Sequence, residues 1–280
     1  MSSSLVPATI ISQSNTLTLI EVVTRLARHP SVEGVLLIGS ASRDELSPAS
    51  DYDLLMVLRD MPVPLRVAVT YVDQRLTDVI FVATTELEGV AHNGALTTPP
   101  IWEKGRLAQW LRTGRILHDR SGLIRSIQAA ALGQGNGPSQ PSEIYSAWFS
   151  INYNLTQNDR YLAADDPAYR MALDLRLLFS LHDLWRYYFL LRGASPQGEK
   201  AQYQFLADHD PGYLELFQRC LAEHNRETKC RLYKDLARLT VGPLGGLWPE
   251  GSTAILPEPG PAWDEHTSQA ALSFWESLLQ

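Results

Sequence analysis

Two apolar runs of strand length, Val35-Leu36-Leu37-Ile38 and Leu54-Leu55-Met56-Val57-Leu58, lie close together early in the chain, and the residues between them constrain the fold most. The first run ends in Gly39-Ser40, and the second is entered through Ser50-Asp51-Tyr52-Asp53. Continuous apolar runs of this length read as strands buried on both faces. Side chains alternate along a strand, so Asp51 and Asp53 are expected on one side of a sheet, at its end. An isolated Asp-x-Asp reads as a solvated strand start. Here a buried-type strand follows it, which seats both acids at a crevice. Converging carboxylates repel unless a cation lies between them, and a hard divalent ion with oxygen ligands is the natural counter-charge. The Gly39-Ser40 turn is expected to offer backbone N–H groups and a hydroxyl to a phosphate.

A third acid follows in the same style. Leu76-Thr77-Asp78-Val79-Ile80-Phe81-Val82 embeds Asp78 in an apolar, β-branched run 25 residues after Asp53. Gly-Ser, a short spacer, Asp-x-Asp into an apolar strand and a later strand-borne acid together resemble the nucleotidyltransferase superfamily that includes DNA polymerase β. The form from Gly39 to Leu55 is similar to the small bacterial members, among them the aminoglycoside and lincosamide nucleotidyltransferases and the minimal nucleotidyltransferases. The close resemblance covers about residues 16–82. It implies two Mg²⁺ ions held by Asp51, Asp53 and Asp78, with ATP or another nucleoside triphosphate as donor. It also implies a role for Asp78 as general base, and contacts from Gly39 and Ser40 to the triphosphate. Arg43, three residues on, is expected to neutralise phosphate charge.

Composition narrows the acceptor. The chain of 280 residues carries a net charge of −7 and shows no basic tract, which argues against tracking a nucleic-acid backbone. An acidic balance suits a cationic small substrate such as an aminoglycoside. The two cysteines, Cys220 and Cys230, form no zinc-type spacing and read as buried free thiols of a cytoplasmic protein. The first residues have no basic n-region followed by an apolar core, so no signal peptide is expected. No stretch has the length of a transmembrane helix.

Organisation along the chain follows from periodicity. After a loose leader over 1–15, Thr18 and Glu21 form a capping-box pattern ahead of a helix to about Arg28. Strands are expected near 34–38 and 52–58. Residues 65–75 carry both helical spacing and β-branched residues, and we read them as a strand that pairs with 76–82 through a turn at Asp73-Gln74-Arg75. Helices near 84–92 and 101–112, a short strand at 115–119 and a helix from about 121 complete an α/β (α+β) domain with a mixed sheet over 1–131. The Gly- and Pro-rich stretch 132–141 reads as a linker. Beyond it, 142–280 reads as an α-helical bundle domain, with helices near 142–163, 168–192, 199–208, 211–223, 226–240 and 263–279. The resemblance implies that substrate lies in the cleft between two such domains.

In the helical part, Lys200 precedes an aromatic-rich helix and is similar to the triphosphate lysine of streptomycin-type adenylyltransferases. Tyr153, Asp174, His182, Asp183 and Trp185 lie on helices expected to line a cleft, and Asp174 is the candidate for binding an acceptor ammonium. Arg219 and His224 resemble the R-x-x-x-x-H motif of helical toxins, but Cys220 stands where that motif has a polar residue. The expected function is Mg²⁺-dependent transfer of a nucleoside monophosphate, AMP from ATP, onto a hydroxyl of an aminoglycoside-type small molecule. The expected assembly is a monomer or homodimer, without nucleic acid or membrane. Two rivals stand beside it: an antitoxin-type adenylyltransferase that modifies a protein partner, and a non-catalytic nucleotide-binding regulator.

Overall fold

The computed structural model of the protein describes residues 17–43, 46–63, 65–87, 106–132, 141–194, 196, 198–256 and 265–278. The leader 1–15, the linker core 133–140, loop residues 257–261, and the expected helical residues 88–92 and 101–105 lie outside the described residues. The chain divides into two compact units, Met1–Gly137 and Pro138–Gln280.

In the first unit, α1 (Leu19–Arg28) starts at the expected capping box. The Thr18 backbone N–H donates to Glu21 Oε2 at 2.8 Å, and the Glu21 N–H donates to Thr18 Oγ1 at 3.3 Å. Strand β1 (Val32–Ile38) follows, then a 3-10 turn (Gly39–Arg43) and β2 (Tyr52–Leu58). Next come β3 (Val67–Val72), β4 (Arg75–Ala83), a short helical segment at 84–87, α2 (Arg106–Thr113), β5 (Arg115–Asp119) and α3 (Leu123–Leu132). The five strands form one mixed sheet in the order β3-β4-β2-β1-β5, in which β2 and β4 run parallel and the other pairs antiparallel.

The ambiguous segment is a hairpin. Asp73 and Gln74 both have positive φ, 50° and 62°, as the primed two-residue turn requires. That turn overrides the helical spacing of Leu65, Val69, Val72 and Leu76.

The unbroken apolar character of β1 and β2 reflects cover on both faces. On one face Leu36, Ile38, Leu55, Val57, Ile80 and Val82 pack with Leu107 and Leu111 of α2 and Ile124 and Ile127 of α3. On the other, Val35, Leu37, Leu54, Met56 and Leu58 meet Leu19, Val22, Val23 and Leu26, the apolar stripe of α1. Edge strand β3 is different: Val67, Val69 and Tyr71 are exposed.

The second unit is helical: α4 (Pro141–Leu162), α5 (Pro167–Leu190), α6 (Gly198–His209), α7 (Pro211–Ala222), α8 (Arg226–Val241) and α9 (Glu265–Leu278). Polar side chains set three of the starts, with Asp166, Asp210 and Asn225 each accepting from a backbone N–H of the first turn. Pro167 and Pro211 occupy the first helical turn, where a missing N–H costs nothing. Leu173, Leu177, Leu181 and Leu184 of α5 meet Tyr233, Leu236 and Ala237 of α8 in one core that also contains Cys220 and Cys230. Among the described residues, no helix is long and apolar enough to cross a membrane.

Candidate active site

The sheet register brings two of the predicted acids side by side. Asp53 of β2 pairs with Asp78 of β4, and on its other side with Ile38 of β1; Asp78 in turn pairs with Val69 of β3. Partners in register share a face, so Ile38, Asp53, Asp78 and Val69 form one row across the sheet, with neighbouring strands about 4.8 Å apart. It is the face that carries Leu55, Val57, Ile80 and Val82 deeper in. Both acids are half-buried, at the end of β2 and toward the open end of β4. Asp51 lies one residue ahead of β2 and is also half-buried.

Gly39 closes against this row. Its φ is +69°, and a β-carbon there would lie 2.5 Å from Oδ2 of Asp53. Glycine is therefore required twice, for the backbone conformation and for the approach to the carboxylate. The Ser42 hydroxyl donates to the Gly39 carbonyl at 2.8 Å, which holds the turn closed. Ser40 is half-buried beside it, and Arg43, at the end of the turn, is exposed.

The donor set is all oxygen, which suits a hard cation such as Mg²⁺. The fit rests on backbone placement: among the described residues, no three Asp, Glu, His or Cys side chains converge closely enough to hold a metal ion. Asp53 and Asp78 are adjacent, Gly39 abuts Asp53, and Asp51 stands at the mouth of the same strand.

Sequence reasoning missed the supports behind the Asp-Tyr-Asp motif. The Tyr52 hydroxyl, on the opposite face, donates to Asp73 Oδ2 at 3.3 Å. That oxygen also accepts the Leu19 N–H at 3.1 Å, which ties the hairpin turn to the start of α1. Burial and the Asp73 carboxylate together raise the Tyr52 phenol above its ordinary pKa. Arg75 reaches the loop ahead of Asp51. The one local signal for these supports was the polar pair Asp73 and Arg75 flanking a turn between apolar strands.

In the helical unit, the candidates lie on α4, α5 and α6. Both oxygens of Asp174 are taken by Arg226: Nε donates to Oδ1 at 2.8 Å and a terminal nitrogen to Oδ2 at 2.6 Å. That guanidinium holds the Asp174 carboxyl below its ordinary pKa. Lys200 is exposed in the first turn of α6. Tyr153 is exposed beside Phe149 and the Arg176 guanidinium, and Trp185 packs on Phe189 and Phe217. His182 is exposed, and burial raises the pKa of half-buried Asp183. Arg219 lies in the last turn of α7, whereas His224 lies beyond the helix end.

No family model and no curated protein matches this chain in sequence. Among solved structures, the chain is similar to a nucleotidyltransferase-like protein from Exiguobacterium sibiricum 255-15. The identity is 18% and the TM-score 0.41, over 80% of this chain and 75% of that one.

Proposed function

We propose that this chain is a Mg²⁺-dependent nucleotidyltransferase that moves a nucleoside monophosphate, AMP from ATP, onto a hydroxyl of a small molecule. The observation that carries the reading is the register of Asp53 against Asp78 on one sheet face, with Gly39 pressed on the Asp53 carboxylate. An acid pair at a strand end beside a small-residue turn suits the handling of a polyphosphate and its cations.

In this mechanism Asp51, Asp53 and Asp78 would hold the Mg²⁺ ions through their carboxylate oxygens. Bound Mg²⁺ supplies positive charge to the α-phosphoryl oxygens and lowers the pKa of the acceptor hydroxyl. Gly39 N–H and the Ser40 hydroxyl orient the triphosphate, and Arg43 offsets its charge. The acceptor oxygen forms a bond to the α-phosphorus as the bond from that phosphorus to the bridging oxygen breaks, and pyrophosphate leaves. An oxygen of Asp78 takes the hydroxyl proton. The acceptor class is an aminoglycoside-type antibiotic, a cationic molecule that suits the acidic balance of the chain. The buried free thiols suit a reducing cytoplasm.

The test is a transfer assay with Mg²⁺, each labelled nucleoside triphosphate, and a panel of aminoglycosides and lincosamides, read by mass spectrometry. A product heavier by one nucleoside monophosphate supports the reading. Nucleotide binding with no small-molecule product would move the acceptor to a protein partner. Absence of nucleotide binding in Mg²⁺ would sink the enzyme assignment.

A further inference from the structure

Arg75 opens β4 immediately after the two positive-φ turn residues, and its strand parity places it on the face of Tyr52, opposite to Asp53 and Asp78. Its Nη1 donates to the carbonyl of Ser47 at 2.7 Å and to that of Ser50 at 2.9 Å. Its guanidinium carbon stands 5.9 Å from the centre of the Tyr52 ring. The two carbonyls belong to a tight turn, in which the Ser50 N–H donates to Ser47 O at 3.0 Å and the Ser47 N–H to Ser50 Oγ at 2.9 Å. Ser50 is buried, and Asp51 is the next residue.

Strand β4 thus grips the approach to Asp51 from behind while it presents Asp78 in front. Without that grip, Asp51 hangs on a loop that no strand pairing reaches, because the β2 ladder begins only after it. Charge-assisted bonds to two carbonyls from one half-buried guanidinium fix such a turn more firmly than the neutral bonds within it. We propose that Arg75 is a positioning residue that sets Asp51 in place relative to Asp53 and Asp78. Its consequence for metal and nucleotide rests on the nucleotidyltransferase reading above.

The test uses Arg75→Met, which keeps an apolar stem against Tyr52, and Arg75→Lys. Both native bonds leave one nitrogen, so a single ammonium is a fair substitute. Mn²⁺ binding in the presence of α,β-methylene ATP is followed by electron paramagnetic resonance, and amide hydrogen exchange is followed over 47–52. Partners that orient metal ligands from outside are worth about 10- to 100-fold in affinity. The expected result is a loss of that size in Arg75→Met, substantial recovery in Arg75→Lys, and faster exchange confined to the loop ahead of Asp51. Wild-type Mn²⁺ affinity in Arg75→Met would overturn this inference and leave the enzyme reading standing. Loss of exchange protection throughout β1 and β2 in both variants would overturn it in favour of a general stability role. Absence of Mn²⁺ binding in the wild-type protein would overturn both readings.

Discussion

Gly39 and Asp53 leave no room between them for a methyl group: a β-carbon on Gly39 would stand 2.5 Å from Oδ2 of Asp53. The obstructed atom is the tip of a side chain, so the carboxylate would swing aside while the sheet stays as it is. Gly39→Ala is therefore expected to cost at least the roughly 1–2 kcal/mol of stability that a positive φ imposes on a residue with a β-carbon. Its effect on transfer should be much larger, because the displaced group is the proposed shared metal ligand. Urea unfolding and a transfer assay on the same preparation check both halves. Activity lost only in proportion to stability would remove Gly39 from the site.

Asp53 and Asp78 are expected to respond differently to substitution, although they are neighbours in register. Asp53→Asn, like Asp51→Asn, should abolish transfer by more than about two orders of magnitude, since even outer partners of metal ligands are worth 10- to 100-fold. Asp78→Asn should lose most turnover but still bind nucleotide, as a general base would. Single-turnover rates and nucleotide binding by calorimetry separate the cases. Equal loss of nucleotide binding in Asp78→Asn would make Asp78 chiefly a metal ligand, and full activity in Asp53→Asn would end the assignment.

How much of this could be read in advance depended on how local the cause was. The capping box at Thr18 and Glu21, the Asp and Asn helix starts, and the buried runs of β1 and β2 are written in adjacent residues. The hairpin at 73–74 was ambiguous by spacing and was decided by turn conformation, which Asp73 and Gln74 adopt without a glycine. A common face for Asp51 and Asp53 was expected from strand alternation, but β2 begins at Tyr52, so alternation places Asp53 and leaves Asp51 to the loop ahead of it. The adjacency of Asp53 and Asp78 required the order β3-β4-β2, a non-local fact. Long-range partners were illegible for the same reason. Glu33 sits in an apolar strand, buried, and accepts the Ser121 N–H at 2.9 Å from a loop 88 residues away. Asp174 reads as a free helix-surface acid until Arg226, 52 residues on, is seen across both its oxygens.

That pairing puts the expected acceptor role of Asp174 to the test. Arg226 lowers its pKa, so the stabilisation from the pair is present above the ordinary carboxylate range and is lost as pH falls through the depressed native value. Asp174→Asn should destabilise the helical unit modestly at pH 7, because both side chains remain nearly half exposed to screening solvent. The difference from wild type should vanish in acid. Thermal melts from pH 7 down to pH 2 follow this directly. If Asp174 also binds the acceptor, the acceptor KM rises in the same variant at pH 7. An unchanged KM would leave it a purely structural ion pair between α5 and α8.

The alkaline side is governed by thiols and phenols buried in the helical unit. Burial pushes Cys220 up to about 12 and Cys230 up to about 11, and burial with the Asp210 hydrogen bond pushes Tyr188 up to about 12. Burial also raises Tyr213 and Tyr233. For each group the neutral form is favoured in the fold. Its contribution is therefore complete below the unfolded pKa and is lost as pH rises toward the native one, a window that opens near pH 9 for the thiols. At pH 8 both thiols should resist a disulfide exchange reagent in the native protein and react together on unfolding, at a rate that reports opening of the helical core. Above pH 9 that rate should climb steeply as the unit loosens. Rapid reaction of either thiol at pH 8 in folded protein would contradict the packing of Cys220 and Cys230 among α5, α7 and α8, on which this pH dependence stands.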